Sequence, residues 1–273
     1  ADLKHSMYSV SKSWTSTAIG FAVDEKKLSV NDKVISFFPA YASLASKPYM
    51  ADLRVKDLLT MSVGHEKEMF ERVFMQADWA KGFLEIPIVN PPGTKFLYNT
   101  LATYMLSAIV QKVTGQTVIE YLQPRLFAPL GISGIDWEKN YKGINTGGWG
   151  IRVKTEDMAK LGLLYLNQGQ LNGRQILSAA WVKEATGKQI EQNPDAAQEK
   201  KDSSDWLQGY GYQFWRCRNN AFRADGAFGQ YIVMMPEQDA VVVITSESLD
   251  LQDDLNMIWK YLLPAFKSTP LNP

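Results

Sequence analysis

The chain has 273 residues, enough for one large domain or two smaller ones sharing an interface. Its 29 basic and 29 acidic residues balance to a formal charge of zero, so bulk electrostatics offers no hold on a nucleic acid or an anionic membrane. A single cysteine, Cys217, excludes an intramolecular disulfide, two histidines (His5 and His65) are too few for a histidine-rich metal site, and no run reaches the roughly 18 apolar residues of an integral membrane segment.

Along the chain, Trp14, Ala18, Ile19 and Ala22 recur on one face and predict a buried helix over 9–23, ended by the polar run Asp24-Glu25-Lys26-Lys27. A turn then leads into a second short helix reaching Phe38-Pro39. Val55, Leu58 and Leu59 form the apolar face of a helix over 54–61, and the mixed-charge stretch 66–82 reads as helical. Asn90-Pro91-Pro92-Gly93-Thr94 is a rigid turn, because two prolines and a glycine cannot continue a helix. A strong helix over 101–114 stops at Gly115, and another follows over 117–126. Thr155, with Glu156 and Asp157 in the first turn, opens a helix to 166. The polar stretch 189–204 reads as a mobile surface loop. From Trp206 the character changes: runs at 210–216, 228–235 and 241–245 read as strands, and 250–266 as a closing amphipathic helix. Helices followed by an antiparallel meander predict an α+β fold, an antiparallel β-sheet with flanking helices.

The stretch Ser9-Val10-Ser11-Lys12 places a hydroxyl and an amine three residues apart at a predicted helix start. That spacing is nearly one turn, so both side chains share a face. A serine hydroxyl is a poor nucleophile until a base removes its proton, and a lysine whose charge is disfavoured by burial can be that base. Alone, the pattern recurs by chance in many helices.

Three ordered segments together give it weight: Ser9-Val10-Ser11-Lys12, then Tyr98-Asn99-Thr100 after Pro91-Pro92-Gly93, then Ala224-Asp225-Gly226-Ala227 on a strand. Leu58-Leu59-Thr60-Met61 and Gly147-Gly148-Trp149-Gly150 add support. The set resembles the penicillin-recognising serine hydrolases: serine β-lactamases, especially class C, their esterase relatives and the D,D-peptidases. The resemblance implies one β-lactamase-like domain over 1–273, with a mostly helical subdomain at 24–145 and an α/β subdomain from 1–23 and 146–273. It implies Ser9 as nucleophile, Lys12 as its base and Tyr98 facing the same hydroxyl, with phenolate character favoured by the Lys12 ammonium. The backbone N–H groups of Ser9 and Ala227 would form the oxyanion hole. Thr100, Asn99, Asp225 and Gly226 would contact substrate, Gly226 by allowing close approach of the strand. The implied substrate is a small-molecule or peptide ester or amide, with no metal or organic cofactor, in a periplasmic or secreted bacterial protein.

The sequence departs from the pattern in informative places. Thr100 stands where the family has asparagine, with Asn99 one position early. Ala224 stands where lysine or histidine is common, and Asp225 where a hydroxyl is common, so a substrate carboxylate would meet repulsion unless Arg223 compensates, with Arg152 a further candidate cation. Esterase or amidase activity is therefore expected over efficient β-lactam hydrolysis. The alternative is a catalytically weak module that binds peptidoglycan-like or peptide ligands. Eight residues precede Ser9, where the family has several dozen, so a sheet incomplete at its N-terminal side and open at one edge is expected. Trp149 and Trp206 read as packing residues, His65 as a surface or loop residue, and Cys217 as a small core hydrophobe or a surface thiol.

Overall fold

The computed structural model describes residues 3–267. In chain order, β1 (Lys4–Ser6) leads through a single 3-10 turn at Tyr8–Val10 into α1 (Ser11–Asp24). Two 3-10 segments follow, then α2 (Val55–Leu59), α3 (Phe70–Phe74), α4 (Trp79–Glu85), α5 (Thr100–Thr114) and α6 (Val118–Leu122). The strands β2 (Asp136–Trp137) and β3 (Ile151–Lys154) precede α7 (Thr155–Leu166) and the small hairpin β4 (Gln170–Leu171) and β5 (Arg174–Gln175). Then come α8 (Ala179–Thr186), α9 (Gln198–Ser203), β6 (Trp215–Arg216), β7 (Phe222–Gly226), β8 (Gln230–Met235), β9 (Ala240–Ile244), α10 (Leu251–Met257) and, after a π-type turn, α11 (Leu263–Lys267). The α+β reading holds. Among the described residues no helix is long and apolar enough to cross a membrane.

The main sheet is antiparallel with order β6-β7-β8-β9, and β1-β3-β2 form a separate three-stranded sheet. Alternation along β8 decides what covers each face. Ile232 and Met234 join the large core that includes Met158 and Leu161 of α7, while Tyr231, Val233 and Met235 pack with Leu255, Ile258 and Leu263 of the closing helices. In β9 every residue stays half-buried, as expected for a strand paired on one side only.

Several predicted elements are altered by local backbone chemistry. The strand expected over 210–216 shrinks to β6, because Gln213 holds φ at 66° and turns its side chain into the core. The strand expected from 228 begins at Gln230, since Phe228 (φ 61°) and Gly229 (φ 82°) make the β7–β8 turn. The helix expected over 66–82 is broken in two, and the Asp78 side chain caps the second piece by accepting the Lys81 N–H. The stretch 189–204 carries α9 and a bridge between Ile190 and Tyr210.

Helix α1 runs through the interior, buried from Ser11 to Ala22. Its hydroxyls therefore need fixed acceptors. Ser13 Oγ donates to Gln213 O (2.7 Å), Thr15 Oγ1 to Gly147 O (2.8 Å) and Ser16 Oγ to Tyr212 O (2.7 Å). Gln213 in turn donates from Nε2 to Leu59 O (2.8 Å) and accepts from Thr103 Oγ1 (2.6 Å), so one strained residue ties α1, α2 and α5 together. These bonds set the α1 N-terminus rigidly against the loop at 147–148 and the start of α5.

Candidate active site

Ser9 lies in the 3-10 turn ahead of α1, one residue after Tyr8, whose φ of 43° breaks the helix there. The turn is pinned by Met7 N–H to Ile151 O (3.0 Å) and by Ser11 Oγ to Tyr8 O (2.6 Å). Lys12, 1% exposed, donates to Ser9 Oγ (2.9 Å) and Gly148 O (2.9 Å), with Thr100 Oγ1 at 3.4 Å. Burial lowers the Lys12 pKa to about 7, against the opposing pull of the Glu68 and Asp225 carboxylates. The amine is thus divided between its two protonation states near neutrality.

Gly148 can offer its carbonyl because the loop presses on the first turn of α5. A side chain at Gly148 would meet Thr100 O at 2.9 Å, and one at Gly147 would meet Ser107 Cβ at 2.8 Å. The Tyr98 ring lies with its centroid 4.9 Å from Lys12 Nζ and stacks on Trp215 at 5.5 Å. Burial raises the Tyr98 pKa, a hydrogen bond with Ser9 opposes this, and Asp225 and Glu68 add to it. The phenolate character expected from the sequence is therefore disfavoured: desolvation and two nearby carboxylates outweigh the Ser9 hydrogen bond and the Arg223 charge.

Asn99, expected from the sequence to contact substrate, is 1% exposed and its side chain is engaged within the protein. Its Oδ1 caps α5 by accepting the Ala102 N–H (3.1 Å), and its Nδ2 faces His65 Nδ1 at 3.1 Å. His65 is likewise no surface residue: it is buried, and desolvation lowers its pKa to about 4. Thr100, by contrast, presents its hydroxyl toward Lys12.

On β7, a side chain at Gly226 would lie 2.5 Å from Met7 O, so only glycine lets this strand pass the Ser9 turn. Asp225 accepts from Arg223 Nε at 2.8 Å, and Arg223 is fully buried beneath it, stacked on Trp206 and Trp215. Arg223 thus offsets only part of the Asp225 charge, since burial still pushes the Asp225 pKa up, and the buried guanidinium cannot reach a substrate. Arg152, on β3, pairs with Asp136 and Glu138. Cys217 is buried, with Sγ 3.2 Å from Arg223 Nη1, and burial raises its thiol pKa to about 11.

Sequence reasoning missed Glu68. Its Oε1 accepts the Thr100 N–H at 2.5 Å, and its charge acts on both Lys12 and Tyr98. No motif spacing links a loop residue at 68 to a helix start at 100. It also missed Asp205, a buried carboxylate that accepts from Arg218, Gln252 and Trp259.

A half-buried serine and a buried lysine in Ser-x-x-Lys spacing at a helix start, facing a tyrosine in a fold with an antiparallel sheet and flanking helices, define the penicillin-recognising class. The chain belongs to the Beta-lactamase family, whose sequence profile matches residues 1–265. It is similar to the 6-aminohexanoate-dimer hydrolase of Paenarthrobacter ureafaciens, at 25% identity over 264 residues, covering 89% of this chain and 66% of that protein. The chain thus spans just under two thirds of that relative's length. Among solved structures it is similar to the octameric penicillin-binding protein homologue of Pyrococcus abyssi (TM-score 0.77, 20% identity, 96% of this chain and 66% of that one). It is also similar to EstCE1, described as a hydrolase with promiscuous acyltransferase activity (TM-score 0.68, 14% identity, 91% of this chain and 84% of that one).

Proposed function

We propose that the protein is a serine hydrolase that cleaves an ester or amide through an acyl-enzyme on Ser9. The observation that carries this reading is the buried Lys12 amine, 2.9 Å from Ser9 Oγ and with its pKa lowered to about 7. Neutral Lys12 takes the Ser9 proton as Oγ attacks the carbonyl carbon, and the developing oxyanion is held by the N–H groups of Ser9 and Ala227. As the tetrahedral intermediate collapses, the leaving alcohol or amine departs with a proton passed through Tyr98, which stays protonated at rest and is refilled from Lys12. Water then adds to the acyl-enzyme with the same groups acting in reverse, returning the proton to Ser9.

The names of the similar proteins support hydrolase chemistry in general, a dimer hydrolase in one case and a hydrolase with acyltransferase activity in another. Among the described residues, Arg223 is buried against Asp225, Arg152 pairs with Asp136 and Glu138, and the half-exposed Glu68 adds negative charge beside Lys12, which favours neutral acyl groups over β-lactams. Intact mass after exposure to a fluorophosphonate probe tests the reading. An adduct on wild type that disappears in Ser9→Ala supports it. A folded wild type that stays unlabelled and turns over no ester overturns it in favour of a module that binds peptide-like ligands.

A further inference from the structure

Two bulky residues hold left-handed backbone beside the proposed oxyanion donors: Tyr8 at φ 43° and Phe228 at φ 61°. For such side chains this region is a genuine outlier, kept only where the surroundings impose it. Tyr8 immediately precedes Ser9, and Phe228 immediately follows Ala227. Their rings meet edge to face with centroids 5.1 Å apart, although the residues remain 38% and 41% exposed.

Each strained stretch is tied from behind. The Phe228 carbonyl accepts from Gln230 Nε2 (3.2 Å), Ser246 Oγ (2.9 Å) and Ser248 N (3.0 Å), while the Tyr8 carbonyl accepts from Ser11 Oγ (2.6 Å). The ring contact joins the two stretches at the front. Beside the rings lies an open crevice of about 310 Å³, lined also by His5, Ser6, Gln230 and Thr245. Neither ring is a core residue, so hydrophobic burial does not account for two adjacent backbone outliers.

We propose that Tyr8 and Phe228 form an aromatic clasp that fixes the Ser9 and Ala227 N–H groups relative to each other, making both positioning residues for the oxyanion. This rests on the acyl-enzyme reading above. The Ser9 N–H belongs to the peptide plane that Tyr8 orients, and Phe228 anchors the end of β7 just beyond Ala227. Donors aimed at a developing charge stabilise it most when they need no reorganisation at the moment of reaction. A clasp that removes the freedom of two loop ends supplies that rigidity.

The test compares Tyr8→Ala, Tyr8→Gly, Phe228→Ala and the Tyr8→Ala/Phe228→Ala double variant with the ring-keeping Tyr8→Phe and Phe228→Tyr. Each is assayed on one neutral ester and on its thiono counterpart, whose C=S sulfur is a weaker hydrogen-bond acceptor. Removing a ring should lower kcat on the oxo ester by roughly 10- to 100-fold, the scale of a small misplacement of reacting groups, and lower the thiono rate less. KM and the midpoint of the pH profile should hold, because Lys12 is untouched. Tyr8→Gly removes the ring while accepting positive φ without strain, so its loss cannot come from backbone misfit. The double variant should cost no more than the worse single one. Ring-keeping variants should retain wild-type kcat. Wild-type kcat in the alanine variants, or an equal loss on both esters, overturns the clasp while Ser9 labelling still stands. Failure of wild type to label or turn over would instead remove the acyl-enzyme reading on which the clasp depends.

Discussion

Lys12 Nζ stands 2.9 Å from Ser9 Oγ and 2.9 Å from Gly148 O, so a single buried amine is shared between the nucleophile and a fixed backbone acceptor. Burial makes it a base near neutrality, and the carboxylates of Glu68 and Asp225 limit how far its pKa falls. Activity should therefore rise with pH as Lys12 loses its proton. We expect kcat/KM on a neutral ester to climb through about pH 7 and then level. Glu68→Gln removes a charge that favours the ammonium, so its midpoint should move to lower pH. A profile flat from acid to alkaline pH would exclude Lys12 as the titrating base.

The same burial has a consequence for stability. The folded Lys12 pKa of about 7 lies below the ordinary 10.5, so between these values the unfolded chain holds a proton that the folded chain lacks. Stability is then fully expressed above the unfolded pKa and is lost as pH falls toward 7. Relative to Lys12→Met, wild type should gain up to about 1.4 kcal/mol per pH unit on going from neutral to alkaline pH. Urea unfolding of both proteins across that range measures the gap, and a gap independent of pH would show that Lys12 is solvated in the folded state.

Tyr98 and Lys12 should behave as one unit. Lys12→Ala and Tyr98→Phe are each expected to lower turnover by roughly 10²–10⁴-fold, the scale of general acid–base loss. The double variant should cost clearly less than the product of the two, since groups that move one proton in series cannot be lost twice. Fully multiplicative losses would assign them to separate steps.

What was legible in the sequence was largely local. The Ser9–Lys12 spacing works because three residues make nearly one turn, and the helix expected over 101–114 appears as α5 because its apolar period and terminal glycine act within one segment. The site residues that escaped notice are held by long-range contacts. Glu68 reaches Thr100 across 32 positions, and Gln213 reaches Leu59 across 154. The β1–β3 pairing joins Lys4 to Lys154, two segments too short to announce themselves as strands. Asn99, a family-like asparagine one position early, also serves as the α5 cap, a local role that its place at the helix start makes legible.

Asp205 carries a structural prediction. Burial opposes its charge, but hydrogen bonds from Arg218, Trp259 and Gln252 hold its carboxyl below its ordinary pKa. Five donor contacts of 2.8–3.1 Å, three of them from Arg218, link the 205 loop to the turn before β7 and to the closing helices. Asp205→Ala should destabilise the fold by about 1.5–3 kcal/mol, the scale of losing hydrogen bonds to a charged group, since the Arg218 side chain left behind is 24% exposed and can be hydrated. A change within about 0.5 kcal/mol, the range of ordinary surface substitutions, would mean the network is solvated.

Selectivity rests on the arrangement of β7. Ala224 offers no cation, and the Arg223 guanidinium, fully buried, donates from Nε to Asp225 at 2.8 Å. An anionic substrate would therefore lack a charge-assisted hydrogen bond of about 1.5–3 kcal/mol and would also approach the Glu68 and Asp225 carboxylates. Wild type should acylate with a short neutral ester faster than with a penicillin. Asp225→Asn keeps the side-chain shape and removes one negative charge, so it should raise penicillin acylation relative to the ester. The charge of Arg223 would then be less fully compensated, and some loss of stability should accompany the gain. Replacing Ala224 by lysine is a poorer test, because Ala224 is fully buried and a new ammonium there would be desolvated. Stopped-flow acylation of both proteins with both substrates decides the matter. A wild type that already prefers the penicillin, or an Asp225→Asn ratio equal to that of wild type, would mean that the carboxylate is held by a group other than those on β7.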